Sequence, residues 1–105
     1  MSLLHFWQQE IERLAQSGSA GNVRVNKSSL RGLQSVIDLK RPIKDLQLKD
    51  LLNAEVELKK RGVSTNSVAV YMRTLRALCN KAIHLDLVES AWYPFRKFQI
   101  KKRRL

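Results

Sequence analysis

The chain has 105 residues and a formal net charge of +11, from 20 Lys and Arg against 9 Asp and Glu. That length supports one modest hydrophobic core and excludes a second. The charge excess favours nucleic acid as a partner, with an anionic membrane surface second. A single cysteine, Cys79, excludes an internal disulfide, and two distant histidines give no zinc-ligand spacing. We therefore expect no metal, no cofactor and a cytoplasmic location.

We expect neither a membrane span nor a signal peptide in this sequence. No run approaches the roughly 20 apolar residues of a membrane span, and no basic region precedes an apolar stretch as in a signal peptide. The sequence ends in Lys-Lys-Arg-Arg-Leu. We expect a domain excised from a longer protein that does not associate with a membrane.

Helical periodicity predicts four helices and no strand. The first runs from about Leu3 to Ala15, with an apolar stripe at Leu4, Trp7, Ile11 and Leu14. The second runs from about Asn22, as N-cap, to Ile37. Its predicted buried side consists of Val25, Leu30, Leu33, Val36 and Ile37.

The third predicted helix runs from about Gln47 to a stop at Gly62. Its predicted apolar side consists of Leu48, Leu51, Leu52, Val56 and Leu58. The fourth begins after Ser64 as N-cap and continues to about Leu85. The segment after Trp92 contains Pro94, Phe95 and Phe98 among cations, and we expect it to be extended and either to cover the open end of the domain or to dock elsewhere.

Acidic residues avoid two of these helices. None occurs between Glu12 and Asp38, and none between Glu57 and Asp86. The second and fourth helices are therefore the basic ones.

The fourth helix has an apolar side and a polar side of unusual composition. At about 100° per residue, Val68, Tyr71, Met72, Leu75, Leu78, Cys79 and Ala82 share one side. The other side holds Asn66, Ala69, Arg73, Arg76, Ala77, Asn80 and His84. Arginine pairs with guanine, asparagine pairs with adenine, and alanine allows close approach, so this side suits a major groove. The alternative is an ordinary solvated face, which usually alternates Lys with Glu.

The second helix carries cations and hydroxyls along one stripe. Its members are Arg24, Lys27, Arg31 and Gln34, with Ser28 and Ser35 beside them. Such a stripe can follow a phosphate backbone. A solvated face explains this helix alone equally well, and the two basic helices together strengthen the case for DNA.

No catalytic set is recognisable. The sequence contains no Gly-rich phosphate loop, no Ser-His-Asp candidate and no carboxylate pair with a partner. We expect the chain itself not to be an enzyme.

Residues 62–82, read as GVSTNSVAVYMRTLRALCNKA, resemble the fourth helix of the core-binding domain of tyrosine recombinases, the phage integrase relatives. They are especially similar to integrases of Bacteroides-type mobile elements. Tyr93-Pro94-Phe95 is similar to the family's Asn-Pro-Phe, and Gly21 to Leu30 resemble its second helix. Two positions depart from the pattern: Asn26 stands where the family often has tyrosine, and Asp86 where it often has glycine.

The resemblance implies an all-α, SAM-like bundle of four or five helices, spanning residues 1–92, with a basic linker at 93–105. It implies double-stranded DNA as partner, together with a catalytic domain later in the same polypeptide and other recombinase protomers. The parent enzyme would integrate and recombine DNA through a phosphotyrosine, without metal. The candidate DNA contacts are Arg24, Lys27, Ser28, Arg31, Asn66, Arg73, Arg76, Asn80 and Lys81. The alternatives are a helical DNA-binding module outside the recombinases and a protein-interaction module.

Overall fold

The computed structural model describes residues 1–101 and consists of four α-helices. In chain order they are α1 (Leu3–Gln16), α2 (Ala20–Gln34), α3 (Leu48–Lys60) and α4 (Thr65–His84), with 3-10 turns at Ile43–Asp45 and Ser90–Trp92. Ser2 and Pro42 form one antiparallel bridge, and no sheet is present among the described residues. The predicted all-α bundle is confirmed.

Side chains cap the starts of α1 and α4. The Ser2 Oγ accepts a hydrogen bond from the His5 backbone N–H at 3.0 Å, and the Ser64 Oγ accepts one from Ser67 at 3.1 Å. Each bond satisfies a backbone donor that the first turn of a helix leaves free. Ser64 is the N-cap that the sequence predicted.

Three helices end in the same left-handed turn. After α1, α3 and α4, the residue beyond the C-cap has positive φ: 82° at Gly18, 85° at Gly62 and 59° at Asp86. After α4, the Asp86 N–H donates to the carbonyl of Ile83, and the Leu87 N–H donates to that of Ala82. This is the Schellman pattern, in which glycine is usual because it has no Cβ. Asp86 thus occupies a position that suits glycine, and α4 still ends where predicted.

The bounds of α2 differ from the prediction at both ends. The helix begins at Ala20, so Asn22 lies inside it and is not the N-cap. The turn at Gly18 lets the chain re-enter a helix within two residues. At the other end, the Ser35 Oγ donates to the Gly32 carbonyl at 2.6 Å, and the helix ends at Gln34 instead of Ile37.

The core forms around α4, which packs against α2 on one side and α3 on another, while α1 packs on α2. The largest fully buried side chains come from all four helices: Trp7, Leu33, Leu51, Leu58, Met72, Leu75 and Cys79. Burial of this apolar surface is the main stabilising contribution. The bundle holds α2 and α4 side by side.

The structure corrects four assignments of helix faces. Val25, Leu52 and Val56 are exposed, although all were predicted to be buried. On α3 the buried stripe is Leu51, Ala54, Glu55 and Leu58. Ala69, predicted on the polar side of α4, is only 3% exposed, because α3 and the C-terminal segment both lie against that part of the helix.

That segment packs on the domain and is not extended throughout. Residues 94–97 form turns. Phe95 and Phe98 are buried, and their rings meet edge to face at 5.7 Å between centroids. Lys101 Nζ lies 3.3 Å from Oε1 of the largely buried Glu55. Residues 102–105, the end of the predicted linker, lie outside the described residues, and the boundary at residue 92 stays a prediction.

Candidate nucleic-acid interface

The predicted phosphate contacts of α2 share one exposed stripe. Arg24, Lys27, Ser28 and Arg31 are all exposed, on the side of the helix away from the buried Ser29 and Leu33. None of the four side chains forms a hydrogen bond or ion pair with another residue of the described chain. Because α2 contains no acid, its three cations lie unneutralised on the surface.

On α4, four of the five predicted contacts are exposed in the same way. Asn66, Arg73, Arg76 and Asn80 face solvent, and their side chains have no hydrogen-bond or ion-pair partner between residues 1 and 101. Lys81 differs, because it is half-buried and its Nζ lies 3.0 Å from Oε2 of Glu10 on α1. Within residues 1–101, the donors of these four exposed side chains are therefore unpaired.

A close approach between Gly32 and Tyr71 brings the two basic helices together. A Cβ added at Gly32 would lie 2.8 Å from Cζ of the Tyr71 ring, closer than atoms tolerate. The half-buried Tyr71 thus packs directly on the α2 backbone. As a result the two exposed stripes belong to neighbouring helices.

A groove of about 400 Å³ opens where α1, α2 and α4 meet. Its lining includes Glu10 of α1, Val25 and Asn26 of α2, and Arg73 and Lys81 of α4. Val25 is 43% exposed because it lines this groove. The prediction that Val25 is buried was therefore wrong. Of the predicted contacts, the groove brings Arg73 and Lys81 together and leaves the others on the outer surfaces of their helices.

Asn26, at the first departure from the family pattern, is engaged in packing. Its Oδ1 accepts a hydrogen bond from Nε1 of the fully buried Trp7 at 2.9 Å, and its Nδ2 donates to the carbonyl of Asn22 at 2.8 Å. A buried indole N–H needs such a partner. Asn26 therefore fixes α1 against α2.

Glu10 is the residue that sequence reasoning missed. Its carboxylate accepts hydrogen bonds from Arg13 Nε at 2.6 Å and Nη2 at 3.1 Å, in addition to the contact with Lys81. These bonds, that of Arg13 foremost, hold the pKa of Glu10 below its ordinary value against the opposing effect of burial. The i, i+3 spacing to Arg13 was visible in the sequence, whereas the contact with Lys81 depends on the fold.

We also searched the described residues for a metal site, a reactive thiol and a membrane-spanning helix. Within residues 1–101, no three His, Cys, Asp or Glu side chains lie close enough together to hold a metal ion. Burial raises the pKa of the Cys79 thiol, so this side chain stays neutral and unreactive. No helix of the described chain has the length and apolarity needed to cross a membrane.

Comparison with known proteins identifies one family. The model of the phage integrase SAM-like domain matches residues 2–100, nearly the whole chain. Neither the curated proteins nor the solved structures gave a significant match.

Proposed function

Because the chain belongs to the phage integrase SAM-like domain family, we propose that it binds duplex DNA as the core-binding half of a tyrosine recombinase. In that role it supplies affinity and part of the sequence recognition. A catalytic domain in the same polypeptide would perform the cleavage and rejoining through a phosphotyrosine. Further recombinase protomers on the DNA would be its other partners.

The observation that carries this proposal is the pair of adjacent, acid-free helices. Each of α2 and α4 holds three Lys or Arg residues and no acid. Five of those six cations are exposed and have no ion-pair partner within the described chain. A face that served only solubility would gain stability from interspersed acids, because like charges on one helix repel each other. An unneutralised basic surface instead matches the phosphate backbone of DNA.

The two helices differ in the chemistry they present. On α2, Arg24, Lys27, Ser28 and Arg31 offer charges and a hydroxyl, which suit phosphate oxygens. On α4, Arg73, Arg76, Asn66 and Asn80 offer planar donor groups that pair with base edges, and the exposed Ala77 leaves space for close approach. We assign the α2 stripe to positioning on the backbone and the α4 face to the major groove.

A salt titration of the purified chain tests the proposal. We expect a labelled duplex to bind with a Kd on the order of 10⁻⁴ to 10⁻⁶ M at physiological salt, the range of nonspecific binding, because the core-binding domain alone makes only part of the recombinase's contacts with DNA. Affinity should fall steeply as salt rises, since each neutralised phosphate releases counterions. Absence of binding even at low salt would contradict the proposal and favour a protein-interaction role.

A second experiment separates the two helices. In the full-length recombinase, replacing Arg24 or Lys27 by alanine should weaken matched and mismatched sites about equally. Replacing Arg73 or Arg76 should instead reduce discrimination, by about 1–3 kcal/mol where a bidentate bond to a base exists. If the Arg73 and Arg76 variants weaken both kinds of site equally, α4 contacts phosphates only and the assignment to the groove is wrong.

A further inference from the structure

One carboxylate lies at the edge of the proposed DNA-binding surface and holds two cations. Glu10 lines the groove between α1, α2 and α4, which Arg73 also lines. Its oxygens lie 3.0 Å from Lys81 Nζ and 2.6 Å from Arg13 Nε. The Glu10 side chain is only 12% exposed, whereas those of Lys81 and Arg13 are 31% and 53% exposed. Both cations can therefore reach solvent while the carboxylate beneath them stays in place.

A carboxylate and a phosphate compete for the same donors. Both accept charge-assisted hydrogen bonds from ammonium and guanidinium groups, and both make bidentate pairs with arginine. A cation that Glu10 already holds gains less from a phosphate, because the existing bonds must break or be shared. A phosphate near the groove would also be repelled by the carboxylate, since a few ångströms is well inside the screening length of about 8 Å at physiological salt.

We propose that Glu10 is an internal competitor for phosphate, which withholds Lys81 and Arg13 from DNA and thereby limits the contact surface on the α1 side. The proposal rests on the DNA-binding function proposed above and deepens it. The lowered pKa of Glu10 agrees with it, since the hydrogen bonds from Arg13 and Lys81 that lower it are the bonds that a phosphate would have to displace. Lys81 consequently makes no phosphate contact in the native protein, in contrast to Arg24, Lys27 and Arg31.

The test compares Glu10→Gln with Glu12→Gln in duplex binding across a salt series. Glu12 lies two residues further along α1, is exposed and has no ion-pair partner among the described residues, so its replacement removes the same charge without freeing a cation. Glu10→Gln should bind about threefold to tenfold more tightly than Glu12→Gln at low salt. Its slope of log affinity against log salt should be steeper by about 1–2, at about 0.9 for each added phosphate contact.

A second variant makes the test independent of the Glu10 substitution and its effect on folding. In the otherwise unchanged chain, Lys81→Gln should alter the salt slope much less than Lys27→Gln, which should lower it by about 1. Equal slopes for Glu10→Gln and Glu12→Gln, or an equal loss for Lys81→Gln and Lys27→Gln, would overturn the inference and leave the DNA-binding function intact. If the unchanged chain itself shows no salt-dependent binding, the proposed function fails instead.

Discussion

The ring of Tyr71 on α4 rests against Gly32 on α2, with no space between them for a side chain. This contact sets the distance between the two basic helices. It also explains why a glycine, which is unfavourable within a helix by about 1 kcal/mol relative to alanine, stands near the end of α2.

Gly32→Ala should therefore destabilise the domain. The new methyl group overlaps the Tyr71 ring, and overpacking of this kind typically costs about 1–3 kcal/mol, more than the gain in helix propensity. Thermal unfolding followed by circular dichroism measures the change. Gly21→Ala is the matched control, because it lies in the same helix with open space around it and should raise the melting temperature slightly. A Gly32→Ala variant as stable as the unchanged chain would refute the close packing.

Asp86→Gly should stabilise the domain. Asp86 has a φ of 59° in the turn that ends α4, and left-handed backbone costs a non-glycine residue about 1 kcal/mol or more. Part of that gain is lost to the greater freedom of glycine in the unfolded chain, so we expect about 0.5–1 kcal/mol in chemical denaturation. The reverse change at the equivalent turn after α3, Gly62→Asp, should destabilise by a similar amount. Opposite signs in the two variants are the diagnostic result.

Stability should depend on pH through Glu10. Because bonds from Arg13 and Lys81 lower its pKa in the folded state, the ionised carboxylate stabilises the fold above its ordinary, unfolded pKa of 4.5. The contribution disappears as pH falls through the lower, folded pKa. The unchanged chain should therefore melt above Glu10→Gln at pH 7, and the difference should shrink steadily below about pH 4. A difference that is constant between pH 7 and pH 3 would show that the carboxylate charge is not involved.

The sequence was sufficient for several features that local chemistry decides. The Ser64 cap, the Gly62 stop and the start of α4 were predicted because each depends on residues within one turn. The polar stripe of α2 and most of that of α4 were predicted by helical periodicity, because charged side chains rarely lie in a core.

Most of the wrong predictions concern features that depend on contacts between residues distant in the sequence. The bounds of α2 are an exception, because local turns at Gly18 and Ser35 set them. The sequence of α3 allows either of two neighbouring faces to be the buried one. The positions of α4 and the C-terminal segment determine that Ala54 and Glu55 are buried while Leu52 and Val56 are exposed. The burial of Ala69 was missed for the same reason. Alanine occurs in both buried and exposed positions, and the residues that surround Ala69 belong to α3 and to the C-terminal segment. The pairing of Lys81 with Glu10 joins helices that are far apart in the sequence, so no local pattern could reveal it.

The central claim, that the exposed cations of α2 contact DNA, is tested most directly by two triple variants of equal charge. Arg24, Lys27 and Arg31 are replaced by alanine in one, and the exposed Lys49, Lys59 and Lys60 of α3 in the other. Duplex affinity is then measured by anisotropy across a salt series. We predict that the slope of log affinity against log salt becomes shallower by about 3 in the α2 variant and by less than about 1 in the α3 variant. Equal losses would show that DNA responds only to net charge, and would contradict a binding surface on α2.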